Sequence, residues 1–142
     1  MNRTSGKKDN RPEKFKIKVF GDDLAEIFLK AASEMNIEQA KKEDKELKSF
    51  LSGQWEEIHL EEKNRDELLA NWLKKILALS KNGQKNYFNF SLLNFSETGL
   101  SAKISGQKNL LQNQTSHKLK LEEAKIKETG GKWEAEITLG QE

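Results

Sequence analysis

Residues 64–83 read NRDELLANWLKKILALSKNG, and this stretch decides the fold. The Asn64 side chain is placed to cap a first helical turn, with Glu67 at the third helical position favouring the positive end of the helix dipole. Leu68, Leu69, Trp72, Leu73, Ile76, Leu77 and Leu79 follow at helical spacing. Their stripe is broader than one line of the helix, which predicts a helix lying flat on a sheet. Asn82 and Gly83 are residues that tolerate the left-handed conformation and stop the helix.

Working back toward the N-terminus, Trp55 to Glu61 alternates with Ile58 and Leu60 on one face, as a strand does. Residues 36–54 carry only Leu47, Phe50 and Leu51 as strong apolar anchors and read as a connector, helical in part. Before it, Asp23 is an N-cap with Glu26 three residues on, and Leu24, Ile27, Phe28, Ala31 and Met35 follow at helical spacing. Further back still, Phe15, Ile17 and Val19 alternate with Lys14, Lys16 and Lys18, predicting a strand with one buried face and one lysine-covered face that ends at Gly21.

Working forward, strand patterns cover Asn86 to Phe95 and Leu100 to Ile104, and they pair as a hairpin about Glu97, Thr98 and Gly99. The polar run QKNLLQNQTS at 107–116 leads to a strand over Lys118 to Lys127. Its apolar phase slips between Leu121 and Ala124, as a bulge would cause. Gly130 and Gly131 make a tight turn into a last strand carrying Trp133, Ala135, Ile137 and Leu139, so the chain is expected to close in a meander of about four strands.

The 142 residues suit one domain, and 34% charged against 35% hydrophobic residues confines the apolar side chains to defined faces. Residues 1–12, which include Arg3, Lys7, Lys8 and Arg11, are expected to form a flexible basic arm, with a single domain over 13–142. No window approaches the roughly 18 apolar residues of a membrane span, and MNRTSGKKDN lacks the apolar core of a signal peptide, so the expected location is the cytoplasm. The absence of cysteine removes disulfides, thiolate metal sites and a cysteine nucleophile. A formal charge of +2 is too balanced to mark a dedicated nucleic-acid module.

Three strings in this order, KVFGDDLAEIFLKAA at 18–32, RDELLANWLKKIL at 65–77 and GGKWEAEITLG at 130–140, give the chain a resemblance to the archease family. The likeness extends over nearly all of residues 13–140. It implies a small α+β protein that does not join RNA itself but serves a GTP-dependent RNA-splicing ligase in tRNA splicing and tRNA processing, promoting its guanylylation and turnover. It also implies a functional centre made of an Asp in an N-terminal His-Thr-Ala-Asp string, an Asp near the end of the last strand and a Lys in the penultimate strand, with calcium or a similar divalent metal at the acidic residues. Counting from Gly21, Lys14 stands at the first of these positions, and Gly140 follows Leu139 at the second. Either Lys118 or Lys120 occupies the place of the lysine. The family's Asp before Trp is Asn71 here. A hard divalent cation takes charged oxygen ligands, so the family metal site is expected to be lost and no cofactor is expected.

Other constellations read more plainly. His59 and His117 have no second ligand at i+2 or i+4 and suit surface strands, with His117 adjoining Lys118. Adjacent glutamates at 56/57, 61/62 and 122/123 point to opposite faces of a strand and read as solvated rather than as acid and base partners. No phosphate-binding glycine loop or nucleophile elbow occurs. Trp72 reads as core, while Tyr87, Phe88, Phe90 and Phe95 could serve as core or as a stacking platform for single-stranded RNA. A metal-dependent hydrolase would need carboxylates from distant segments to converge.

The expected architecture is a two-layer α+β sandwich with two main helices packed on a mostly antiparallel sheet. The leading functional reading is an archease-like, non-enzymatic protein with a protein partner, an RNA-splicing ligase, contacted through Lys14, Lys16, Lys18, His117, Lys118 and Lys120. A divergent relative that has lost this role is a variant of the same reading. The alternative is a small RNA-binding module using the basic strand and the sheet aromatics.

Overall fold

The Asp23 carboxylate accepts the amide proton of Glu26 at 2.9 Å, and this cap sets the start of the first helix where the sequence places it. The Glu26 carboxylate reaches back to the amide of Asp22 at 2.8 Å, closing the reciprocal half of the cap one residue further out than an ideal capping box. The computed structural model describes residues 14–43, 55–83, 85–108 and 119–141. Within them the chain forms β1 (Lys14–Gly21), α1 (Leu24–Glu43), β2 (Glu56–Glu61), α2 (Arg65–Gly83), β3 (Lys85–Phe95), β4 (Gly99–Lys108), β5 (Leu119–Thr129) and β6 (Lys132–Gln141). The basic arm and the anchors Leu47, Phe50 and Leu51 lie outside the described residues.

Helix α1 runs eight residues past Met35, into what reads from sequence as connector. The extension NIEQAKKE is rich in Ala, Glu, Gln and Lys, whose helix propensity needs no apolar periodicity. Helix α2 starts as predicted, with the Glu67 amide donating to the Asn64 side chain at 2.9 Å.

The strands divide into two antiparallel three-stranded sheets, β1-β6-β5 and β2-β4-β3, where the sequence pattern predicts one sheet and a closing meander. The α+β class holds; the single-sheet layering does not. The reason lies in β4. Its two edges are taken by β2 and by β3, so β5 has no free edge there and pairs with β6 instead. Each helix then packs against strands of both sheets: α1 against β1, β6 and β3, and α2 against β5, β3 and β2.

Trp72 joins these parts. It is fully buried, its indole N–H donates to the Phe28 carbonyl of α1 at 3.0 Å, and Phe90 of β3 meets it edge to face at 6.3 Å. Phe28 in turn takes Phe95 edge-on at 4.9 Å, a favoured geometry for aromatic pairs. Ile17, Val19, Ala135, Ile137 and Leu139 bring the inner face of the first sheet into the same cluster, and Ile58, Leu100, Ala102 and Ile104 bring the second.

The two predicted turns have the expected chemistry. Gly130 and Gly131 sit at φ 58° and 82°, the left-handed pair that a two-residue hairpin of matching twist requires. At the other hairpin the Ser96 hydroxyl accepts the amide protons of Thr98 and Gly99, at 3.3 and 3.1 Å.

Candidate functional site

The outer face of the β1-β6-β5 sheet is a lattice of lysine and glutamate, because the inner face takes the alternate apolar residues. Lys16 pairs with Glu136 at 3.6 Å, Lys18 with Glu134 at 3.7 Å and Lys125 with Glu123 at 3.0 Å. The Glu123 carboxylate, by hydrogen bond and charge, raises the pKa of Lys125. Pairs this exposed are screened by water and serve chiefly to keep an open sheet face soluble. Lys16 and Lys18 therefore already face glutamates of the neighbouring strand.

One corner of this face differs from the rest. Lys14 is directly opposite Gly140, and Gly140 is directly opposite Lys120, so three residues from three strands lie in one row across the sheet. The next row inward, Phe15, Leu139 and Leu121, faces the core and fixes the register. Lys14 and Gly140, the two positions reached by counting along the sequence, are thus cross-strand partners, with one candidate for the lysine beside them. Of the two candidates for the penultimate-strand lysine, Lys120 is in that row; Lys118 and His117 lie outside the described residues.

A fourth residue completes the corner. The β5 ladder is interrupted between Leu121 and Glu123, which leaves Glu122 as the extra residue of a bulge. Its carboxylate swings over Gly140 and lies 3.5 Å from the Lys14 ammonium and 3.9 Å from that of Lys120. A Cβ at position 140 would come within 2.5 Å of the Glu122 Oε2, so the carboxylate occupies the space that any side chain there would need. From sequence, Glu122 and Glu123 read as solvated residues on opposite faces; both are exposed, but the bulge breaks the alternation and sets Glu122 beside Lys14 and Lys120. The available signal is the apolar phase slip between Leu121 and Ala124, which frees Glu122 from strict alternation.

The other sequence candidates settle into ordinary roles. His59 is exposed on β2, 2.9 Å from the Ser101 hydroxyl and 3.3 Å from the Glu57 carboxylate, at the rim of a shallow cleft with Leu60, Phe95 and Gly99. Tyr87 is buried and its hydroxyl donates to Glu56; burial first, and the adjacent carboxylate second, push its pKa well above the ordinary tyrosine range. Phe90 and Phe95 point into the core and Phe88 is half-buried, so the aromatics of β3 form no open stacking platform. Asn71 is half-buried beside Trp72 on α2.

The family resemblance calls for a divalent cation between two carboxylates at this corner. The residues present do not fit it. One position presents an ammonium, another presents no side chain, and the carboxylate nearby is flanked by two ammonium groups. A cation brought there would meet like charge at Lys14 and would have to displace both lysines from Glu122. Among the described residues no group of three or more His, Asp or Glu side chains is placed to hold a metal, and the carboxylate convergence a metal-dependent hydrolase requires is not among them.

Among the described residues, two helices pack against two three-stranded antiparallel sheets, and β1, β5 and β6 converge on a charged corner, a small α+β fold. Residues 15–139 match the model of the Archease protein family. The chain belongs to the archease family. The match begins one residue after Lys14 and ends one residue before Gly140. No individually curated protein matches the sequence. Among the described residues no helix is long and apolar enough to cross a membrane.

Proposed function

We propose that this protein is a non-enzymatic accessory factor in RNA processing whose partner is a GTP-dependent RNA-splicing ligase, and that it promotes the ligase's guanylylation and turnover. Membership of the archease family supports the accessory role. The observation that supports the reading further is the row Lys14, Gly140 and Lys120, in which the two positions counted from Gly21 and Leu139 lie beside one candidate for the family's lysine. Lys120 is half-exposed there and held on a paired strand, so its ammonium is offered to a partner from a rigid base. A compact point charge of this kind suits the phosphate oxygens that guanylyl transfer handles.

The lysine-lined face favours a protein partner over free RNA. Lys16 and Lys18 are matched by Glu136 and Glu134, which would repel a phosphate backbone as strongly as the lysines attract it. Association is tested by passing the ligase over the immobilised protein. Retention of the ligase, weakened by Lys120→Glu, is the expected result; a ligase that flows through unretained would sink the reading.

A further inference from the structure

We propose that the Lys14–Glu122–Lys120 bridge does, with charges built into the chain, what a divalent cation does at the corresponding corner of its relatives, so that this protein neither binds nor needs a cation there. Three independent features point the same way. The β5 bulge supplies one residue beyond the paired register and so delivers Glu122 to the corner from a strand position that alternation would have denied it. Gly140 lies in the middle strand of its sheet, where a glycine forfeits packing and conformational stability relative to other residues. The space it leaves is filled by the Glu122 carboxylate. Lys14 approaches that carboxylate from β1, across Gly140, and Lys120 approaches it from two residues back on the same strand, one on each oxygen.

The charge balance also closes. Two carboxylates, a dication and a lysine leave one net positive charge at such a corner; two ammonium groups and one carboxylate leave the same. The electrostatic face presented outward is therefore preserved while its source changes from a bound ion to the side chains themselves. A dication entering this corner would find one carboxylate where it needs several anionic oxygens, and would meet two ammonium groups within 4 Å of that carboxylate. The inference rests on the family positions at this corner and not on the ligase as partner. It is measured on the isolated full chain, so failure of the partner reading leaves it standing.

The test compares thermal melting and calorimetric titration with calcium chloride, against sodium chloride of equal ionic strength, for the wild type and for the variant Lys14→Asp/Glu122→Ala/Gly140→Asp. The wild type is expected to show no saturable calcium-dependent change. The triple variant, with two carboxylates facing each other beside Lys120, is expected to gain a saturable rise of about 5 °C or more at calcium concentrations well above its dissociation constant. If that variant does not fold, Lys14→Asp alone serves. It sets a carboxylate against Glu122, so its melting point should fall in chelator and recover with calcium. A saturable calcium response in the wild type that disappears in Glu122→Gln would overturn the proposal. So would a folded triple variant indifferent to calcium, because the corner would then not be the cation site of the scaffold.

Discussion

Lys14 and Glu122 meet over Gly140, ammonium to carboxylate at 3.5 Å, although they belong to the two edge strands of their sheet and are separated by the whole width of β6. The contact exists because Gly140 has no side chain to stand between them. A methyl group there must push the Glu122 carboxylate aside. In the wild type, Gly140→Ala trades the bridge for the usual gain of replacing a strand glycine, and the two roughly cancel. In a Glu122→Ala background nothing is displaced, and the same substitution should stabilise by about 0.5–1 kcal/mol. Urea unfolding of the four proteins gives the coupling directly; equal effects of Gly140→Ala in both backgrounds would show that the carboxylate does not sit over position 140.

Trp72 ties α2 to α1 through the Phe28 carbonyl and to the second sheet through Phe90. Trp72→Phe keeps an aromatic ring but loses the indole N–H and part of the volume, and should cost about 2 kcal/mol, divided between hydrogen bond and cavity. A loss of about 0.5 kcal/mol or less in denaturant unfolding would place Trp72 outside the packing centre.

The Tyr87 hydroxyl is held in its neutral form by burial and by the Glu56 carboxylate. Its folded pKa lies above the unfolded value of about 10, so its contribution to stability is complete below about pH 10 and is lost as pH rises through the folded value. Stability of the wild type should therefore decline more steeply above about pH 10 than that of Tyr87→Phe, which should itself be less stable at neutral pH by about 1.5 kcal/mol for a hydrogen bond to a charged acceptor. Parallel alkaline profiles for the two proteins would mean that Tyr87 is not held this way.

The β5–β6 turn offers a check on backbone geometry. Gly130 and Gly131 both have positive φ, and a Cβ added at either would meet nothing within 4 Å, so only the backbone conformation opposes a side chain there. Gly130→Asn should be close to neutral because asparagine tolerates the left-handed region, while Gly131→Val should cost about 2 kcal/mol. Thermal melts that rank the two variants in the opposite order would contradict the turn geometry.

Much of this fold is legible in local sequence because local chemistry determines it: Asp23 and Asn64 as caps, the Phe15–Val19 alternation, the paired glycines at 130 and 131. What local sequence does not carry is which strands share a sheet. That choice follows from β2 and β3 both taking an edge of β4, a competition between segments far apart in the chain. The site divides in the same way. While the sequence leaves Lys120 level with Lys118, Lys14 and Gly140 are reachable by counting from Gly21 and Leu139, since register carries them along. Glu122 is not, because its role arises from a bulge in one strand and a missing side chain in another. Phe90 and Phe95 are assigned to the core only by the positions of α1 and α2, which no local pattern contains.

We propose the corner around Gly140 as the surface with which this accessory factor meets an RNA-splicing ligase, with Lys120 as its contact group. The most direct measurement is the rate of ligase guanylylation under multiple turnover, with GTP and substrate RNA, in the presence and absence of this protein and of its Lys120→Ala variant. The wild type is expected to accelerate turnover, and Lys120→Ala, still folded by circular dichroism, to abolish most of that acceleration. A turnover rate that the wild-type protein leaves unchanged would contradict the proposal.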